Sequence, residues 1–360
     1  MKPPRVVPAR ERRNTAAPMW DDPGAAAHRD AVRARVRRAL DPPRDARDGM
    51  YRWLAFHLGW VDAGGAPVDG RAGKGVRPLV SLMACAAVGA DPAQAHGVAA
   101  AVEMTHEFSL IHDDIEDGDT ERRGRATLWT VAGVPHAINA GDALFSLARR
   151  QLTEAPPELP SRVALDLIRR YDTACLRLAE GQYLDIAFES AERVRLADYQ
   201  LMILGKTGAL LGAAAGMGAR AGGASTADSD RLTRFGESVG VAFQMQDDVL
   251  GIWGDPDVTG KSAGNDLIRR KKSLPVVLAM ADETLGPDLV ATYARTHPLA
   301  PEEAAGWAAR IAEAGHRETC TRLAHAAADA ALEALDGLDL VPGPRAALAA
   351  LARFAVDREH

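Results

Sequence analysis

The chain has 360 residues, 47% of them hydrophobic and 26% charged, enough apolar material for one large core. A net charge of −6 and a pI near 6.0 give no global basis for binding nucleic acid. Three cysteines, Cys85, Cys175 and Cys320, stand far apart without metal-ligand spacing, which reads as a reduced, cytoplasmic protein.

The N-terminus is rich in Pro and Arg and lacks the apolar core of a secretion signal. Residues 1–30 read as a disordered extension. Sharper alternatives are a docking peptide for an unknown protein partner and an Arg-rich transit peptide. Residues 31–360 read as a single all-helical domain, because apolar residues recur three and four apart. Helices are predicted over Arg77–Val88, His96–Ile115, Ser161–Phe188, Leu196–Met217, Asp230–Ile252 and Glu303–Leu335, separated by short Gly, Pro and Asp clusters. No uncharged run reaches the roughly 18 residues needed to span a bilayer.

The chemistry gathers at stations along this chain. In "GKGVRP", Lys74 and Arg77 lie at a helix start, a ready place for an anion. In "HEFSLIHDDIEDGDTERR", Asp113 and Asp117 share a helix face, with Asp114 about 100° around. Like charges at this spacing repel, so something must offset them. Mg²⁺ is suited, since it takes oxygen ligands and keeps waters and phosphates. The plain alternative is a solvated acidic turn. Three features weigh against it: a buried apolar lead, Arg122 and Arg123 close behind, and a second aspartate pair, Asp247–Asp248, about 130 residues on. That second station is followed by Lys261 and then by "IRRKK", most of which reads as a solvated helix face. "GKTGAL" adds Lys206 and Thr207. Two acid pairs with scattered bases point to a diphosphate clamped through metal ions. The GxxxxGK[ST] phosphate loop is missing from the sequence.

In this order, GK-x-x-RP, H-x6-DDxxD-x4-RR, KT, FQ-x2-DD, GK and KK-x-LP, the chain resembles the trans-isoprenyl diphosphate synthases (polyprenyl synthetases), from about residue 45 onward. The resemblance implies an all-α bundle around a deep cavity, a Mg²⁺-dependent joining of isopentenyl diphosphate to an allylic diphosphate, and a homodimer. It implies that Asp113, Asp114, Asp117, Asp247 and Asp248 bind Mg²⁺, with Asp113, Asp117, Asp247 and Lys206 carrying the ionisation. Arg122, Lys206, Thr207, Gln244 and Lys261 would contact the allylic diphosphate. Lys74, Arg77, His106 and Arg123 would hold isopentenyl diphosphate.

Two positions depart from the family pattern: Gly75 where a second base often stands, and Gly251 at the end of the second acidic motif. They keep two rivals in view, a non-catalytic prenyl-binding subunit of the same fold and a class I terpene cyclase. The cyclase lacks support because no NDxxSxxxE pattern occurs. The inactive subunit is disfavoured because both acid pairs and nearly all the bases are present.

Phe108 lies five residues before Asp113, about 7.5 Å deeper on a helix. By resemblance it looks like the floor of a C20 product tunnel, with geranylgeranyl diphosphate favoured over farnesyl diphosphate. The competing reading is an ordinary core aromatic.

Overall fold

In the computed structural model, which describes residues 23–41, 49–68, 75–154, 159–255, 264–295 and 297–357, the apolar spacing emerges as helices. They are α1 (Pro23–Ala39), α2 (Gly49–His57), α3 (Val76–Ala87), α4 (His96–Glu116), α5 (Leu128–Ala132), α6 (Val134–Thr153), α7 (Ser161–Ser190) and α8 (Leu196–Ile203). There follow α9 (Ala209–Ala221), α10 (Thr226–Trp253), α11 (Asn265–Ile268), α12 (Leu274–Ala281), α13 (Gly286–Tyr293), α14 (Pro301–Glu313), α15 (His316–Leu335) and α16 (Pro342–Asp357). A short hairpin, β1 (Glu121–Arg122) and β2 (Arg125–Ala126), is the sole sheet among the described residues.

Of the extension expected over residues 1–30, residues 1–22 lie outside the described residues, and helix begins at Pro23. Val32, Val36 and Leu40 recur every fourth residue and bury one stripe of α1 and the turn that follows it in the main core.

The Ala- and Gly-rich α9 packs against α3, α7 and α10. Its small residues allow close approach: a β-carbon at Gly218 would meet the Ser81 backbone, and one at Gly212 would meet the Thr233 carbonyl at 2.9 Å. A smaller core under α11–α14 joins Leu267, Val276, Met280, Leu289 and Trp307.

Two predicted helices are interrupted. Leu196–Met217 contains a π-helical turn at Leu204–Gly208, a feature apolar spacing does not register. Glu303–Leu335 breaks at Gly315, whose φ of 80° ends one helix in the left-handed conformation. The segment Leu196–Ala221 is apolar and long enough to cross a membrane, yet 83% of its most apolar window is buried inside the bundle. Cys85, Cys175 and Cys320 are free and buried.

Candidate active site

Asp113 and Asp117 sit on the last turn of α4, which Asp117 caps through its N–H to the Asp113 carbonyl, 2.8 Å away. Burial pushes the Asp113 carboxyl up to about 6; the Lys206 charge opposes that shift, and neighbouring Asp117 and Glu116 reinforce it. Asp117 is raised by the same kind of burial, against Lys206 and with Asp119 and Asp185. Lys206, aimed by the π turn, donates to Asp185 at 2.6 Å.

The second acidic station faces the first. Arg269 reaches Asp119 at 3.4 Å. Lys271 points among carboxylates: partial desolvation pulls its ammonium down, but Asp248, Asp185, Asp266 and Asp117 outweigh that and hold it above its ordinary value. Asp247 projects a charge felt by Arg77. Asp248 is 2% exposed and accepts from Tyr199 Oη at 2.7 Å, the Leu274 N–H at 2.8 Å and Gln244 Nε2 at 3.1 Å. Thr207 donates to Gln244 Oε1 at 3.0 Å, so Thr207, Gln244 and Asp248 form one chain. Asp114, 1% exposed, accepts from Arg122 Nε at 2.5 Å. The structure therefore divides four of the five carboxylates, Asp113 and Asp117 facing Lys206 and Asp114 and Asp248 engaged by protein donors, while Asp247 acts on Arg77. Lys74 and Lys261 lie outside the described residues.

Further toward the N-terminus of α4 is a cavity of about 180 Å³, lined by Arg77, His106, Arg123, Glu103 and Glu107 with Phe243 and Leu211; His106, seven residues before Asp113, shares its face of the helix. Arg77 Nη1 donates to His106 Nε2 at 3.1 Å. Burial and the adjacent guanidinium keep His106 well below its ordinary pKa, which fits an acceptor nitrogen. Among the described residues, buried Arg77 Nε has no hydrogen-bond partner. Phe108 meets Phe145 edge-on, centroids 5.3 Å apart, at the α4–α6 contact, and Phe145 stacks on Tyr171 at 6.1 Å.

The expected solvated face of "IRRKK" is corrected. The helix ends at Ile268, so these residues do not share one face. Arg270 binds the Tyr293 and Arg295 carbonyls, and Lys272 donates to the Glu189 carbonyl at 3.0 Å. Pro275, at the start of α12, was the available signal that this run could not be one helix. Asp185, Glu103, Glu107 and His57 went unnoticed because acids and bases outside a clustered motif carry no spacing signature, and Lys271 was seen only as part of a basic run.

Both departures have a local account. Gly75 has φ 61°, a conformation that disfavours any side chain. A β-carbon at Gly251 would meet Asp266 Cγ at 2.7 Å, so the Asp266 carboxylate fills that space.

The donor set fits Mg²⁺. Asp113 and Asp117, at the end of α4, offer hard carboxylate oxygens, the donors Mg²⁺ takes while keeping waters and phosphate oxygens.

The raised Asp113 carboxyl carries a prediction. Ionised Asp113 costs the metal-free fold on the order of 1–3 kcal/mol above about pH 6, and nothing below about pH 4, where folded and unfolded forms are both protonated. In EDTA, Asp113→Asn should raise Tm by a few degrees at pH 8, and about half of that gain should be lost by pH 5. A gain independent of pH would exclude the charge as its cause.

The sequence model of the polyprenyl synthetase family matches residues 68–302. The chain is 41% identical over 314 residues to a geranylgeranyl diphosphate synthase of Mycobacterium tuberculosis, covering 87% of this chain and 88% of the relative. It is 38% identical over 316 residues to a (2E,6E)-farnesyl diphosphate synthase of Mycobacterium bovis, covering 85% of each. A crystal structure of a polyprenyl synthetase from Streptomyces coelicolor superposes with a TM-score of 0.85 at 42% identity, over 92% of this chain and 98% of that one. Matched by the family model over more than half its length, and by relatives over most of it, the chain belongs to the polyprenyl synthetase family and is a trans-prenyltransferase.

Proposed function

We propose that this trans-prenyltransferase elongates allylic diphosphates with isopentenyl diphosphate and stops at geranylgeranyl diphosphate. One observation carries the reading: along one face of α4 lie the carboxylates Asp113 and Asp117 beside Lys206 and, nearer the N-terminus, His106 bonded to Arg77 in the cavity, while Phe108 on the same helix meets Phe145. Asp113 and Asp117, with Asp247 opposite, would hold Mg²⁺, which supplies Lewis-acid stabilisation of the charge gathering on the leaving diphosphate. Lys206 and Lys271 add fixed positive charge at the allylic diphosphate, with Lys261 assigned there from sequence. Asp248, through Gln244 and Thr207, orients the wall beside them, and Asp114 holds Arg122 on the allylic side. Arg77, His106 and Arg123, with Lys74 assigned from sequence, bind isopentenyl diphosphate. The apolar faces of α4 and α10 keep water from the allylic cation.

A homodimer is part of the proposal. Leu165, Leu176 and Tyr183 lie on one face of α7 and are 67%, 62% and 71% exposed, a stripe suited to a second copy. Free buried thiols fit the reducing cytoplasm.

Phe108→Ala tests the product. If Phe108 with Phe145 closes the tunnel, the variant should make diphosphates at least one isoprene unit longer, at modest cost in rate. If the ring serves only as core, the variant should lose about 3–5 kcal/mol of stability with chain length unchanged. Chromatography of the dephosphorylated products separates these outcomes. A wild-type C15 product would favour the second reading, farnesyl diphosphate, which one relative's name supports.

A further inference from the structure

Arg123 breaks a local rule. It holds the first central position of the β1–β2 turn with φ 54°, followed by Gly124 at 74°. Two left-handed residues in a row make the tight hairpin turn that normally takes Asn, Asp or Gly first. A side chain there costs about 1–2 kcal/mol, and such strain persists only where the surroundings over-determine it.

The surroundings are specific. Arg123 Nη1 donates to Glu107 Oε1 at 3.2 Å, reaching sixteen residues back onto α4. Glu107 is 3% exposed. Its other oxygen lies 3.0 Å from Nε2 of His57, which is also buried, on α2. Burial pushes the Glu107 carboxyl up, but His57, His106 and Arg123 overcome it and hold it well below the usual carboxylate range. Glu107 is thus a fixed anion inside a cavity built for anions. A ligand diphosphate would repel it, so its role is directed at a cation. One amino group of Arg123 is bound to Glu107, and a guanidinium has five donors in a planar fork, so the remaining edge can face the cavity that Arg123 shares with Arg77 and His106.

We propose that Glu107, braced by His57, is the positioning residue that holds Arg123 in its left-handed turn and aims its guanidinium at isopentenyl diphosphate. The inference rests on the assignment of that cavity under the proposed function, and steady-state kinetics can separate the two. Glu107→Gln keeps shape and removes charge. It should raise the KM for isopentenyl diphosphate about tenfold or more, the scale of a hydrogen bond to a charged group, with kcat and the allylic KM within about threefold. In an Arg123→Gln background the same change should add less than about twofold, because Glu107 acts through Arg123. His57→Gln, which leaves the carboxylate in place, should shift the same KM in the same direction by less, and it serves if Glu107→Gln folds poorly by circular dichroism. Equal rises in both KM values, or full additivity in the double variant, would overturn the positioning role while leaving the cavity assignment intact. If Arg123→Gln raises only the allylic KM, the cavity assignment itself falls, and the inference with it.

Discussion

Asp113→Ala is expected to lower kcat by at least about 10³-fold, and Asp247→Ala similarly, with the helical signal intact. The basis is magnitude. Lewis-acid stabilisation of a leaving diphosphate is worth several kcal/mol, and each 1.36 kcal/mol is about tenfold in rate. Asp113 sits with Asp117 and Glu116 in a crowded acidic turn whose charge already opposes folding. Removing one carboxylate should therefore relieve the metal-free protein while disabling the loaded one, a trade of stability for function. Turnover measured at saturating Mg²⁺, alongside Tm in EDTA, reads both signs. Near-normal turnover in both alanine variants would exclude the carboxylate clamp.

The second large effect is expected at a residue that touches no substrate. Helix α7 crosses the π turn at Gly181 and Gly205. A β-carbon on Gly181 would meet the Lys206 N atom and Gly205 C, the latter at 2.7 Å; one on Gly205 would meet the Arg177 carbonyl at 2.6 Å. An alanine in place of a helical glycine ordinarily stabilises by up to about 1 kcal/mol. Here Gly181→Ala should do the reverse, costing about 1–3 kcal/mol or more, because backbone rather than a flexible side chain must yield. The displaced segment carries Lys206, so kcat should also fall, by roughly 10²-fold for a shift near 1 Å. A lower Tm with unchanged kcat would show that Lys206 is not aimed by this crossing.

These cases mark what the sequence made legible. The helices read well because burial imposes a spacing of three and four, and α3, α4 and α7 run within two residues of their expected ends. The π turn did not, since "LGKTG" keeps helical spacing through it. Asp113, Asp117 and His106 were legible because a fixed spacing on one helix puts them together. Asp185 beside Lys206, and Glu107 beside Arg123, are joined only by tertiary packing across 21 and 16 residues, and nothing local announces such pairs. Asp114 and Asp248 have ligand spacing yet face inward to Arg122 and Tyr199, a difference of rotation around the helix that a motif does not encode.

Burial of the three cysteines reaches into handling of the protein. Each thiol is pushed up to about 12 by desolvation. At pH 8 that leaves roughly one thiolate in 10⁴, and alkylating or maleimide reagents attack only the thiolate. A cysteine introduced on the exposed side of α15, at Ala326 for example, would then be the single fast-reacting thiol among the described residues, so a fluorophore or spin label could be attached there, away from the α7 stripe, without first stripping the native cysteines from the core.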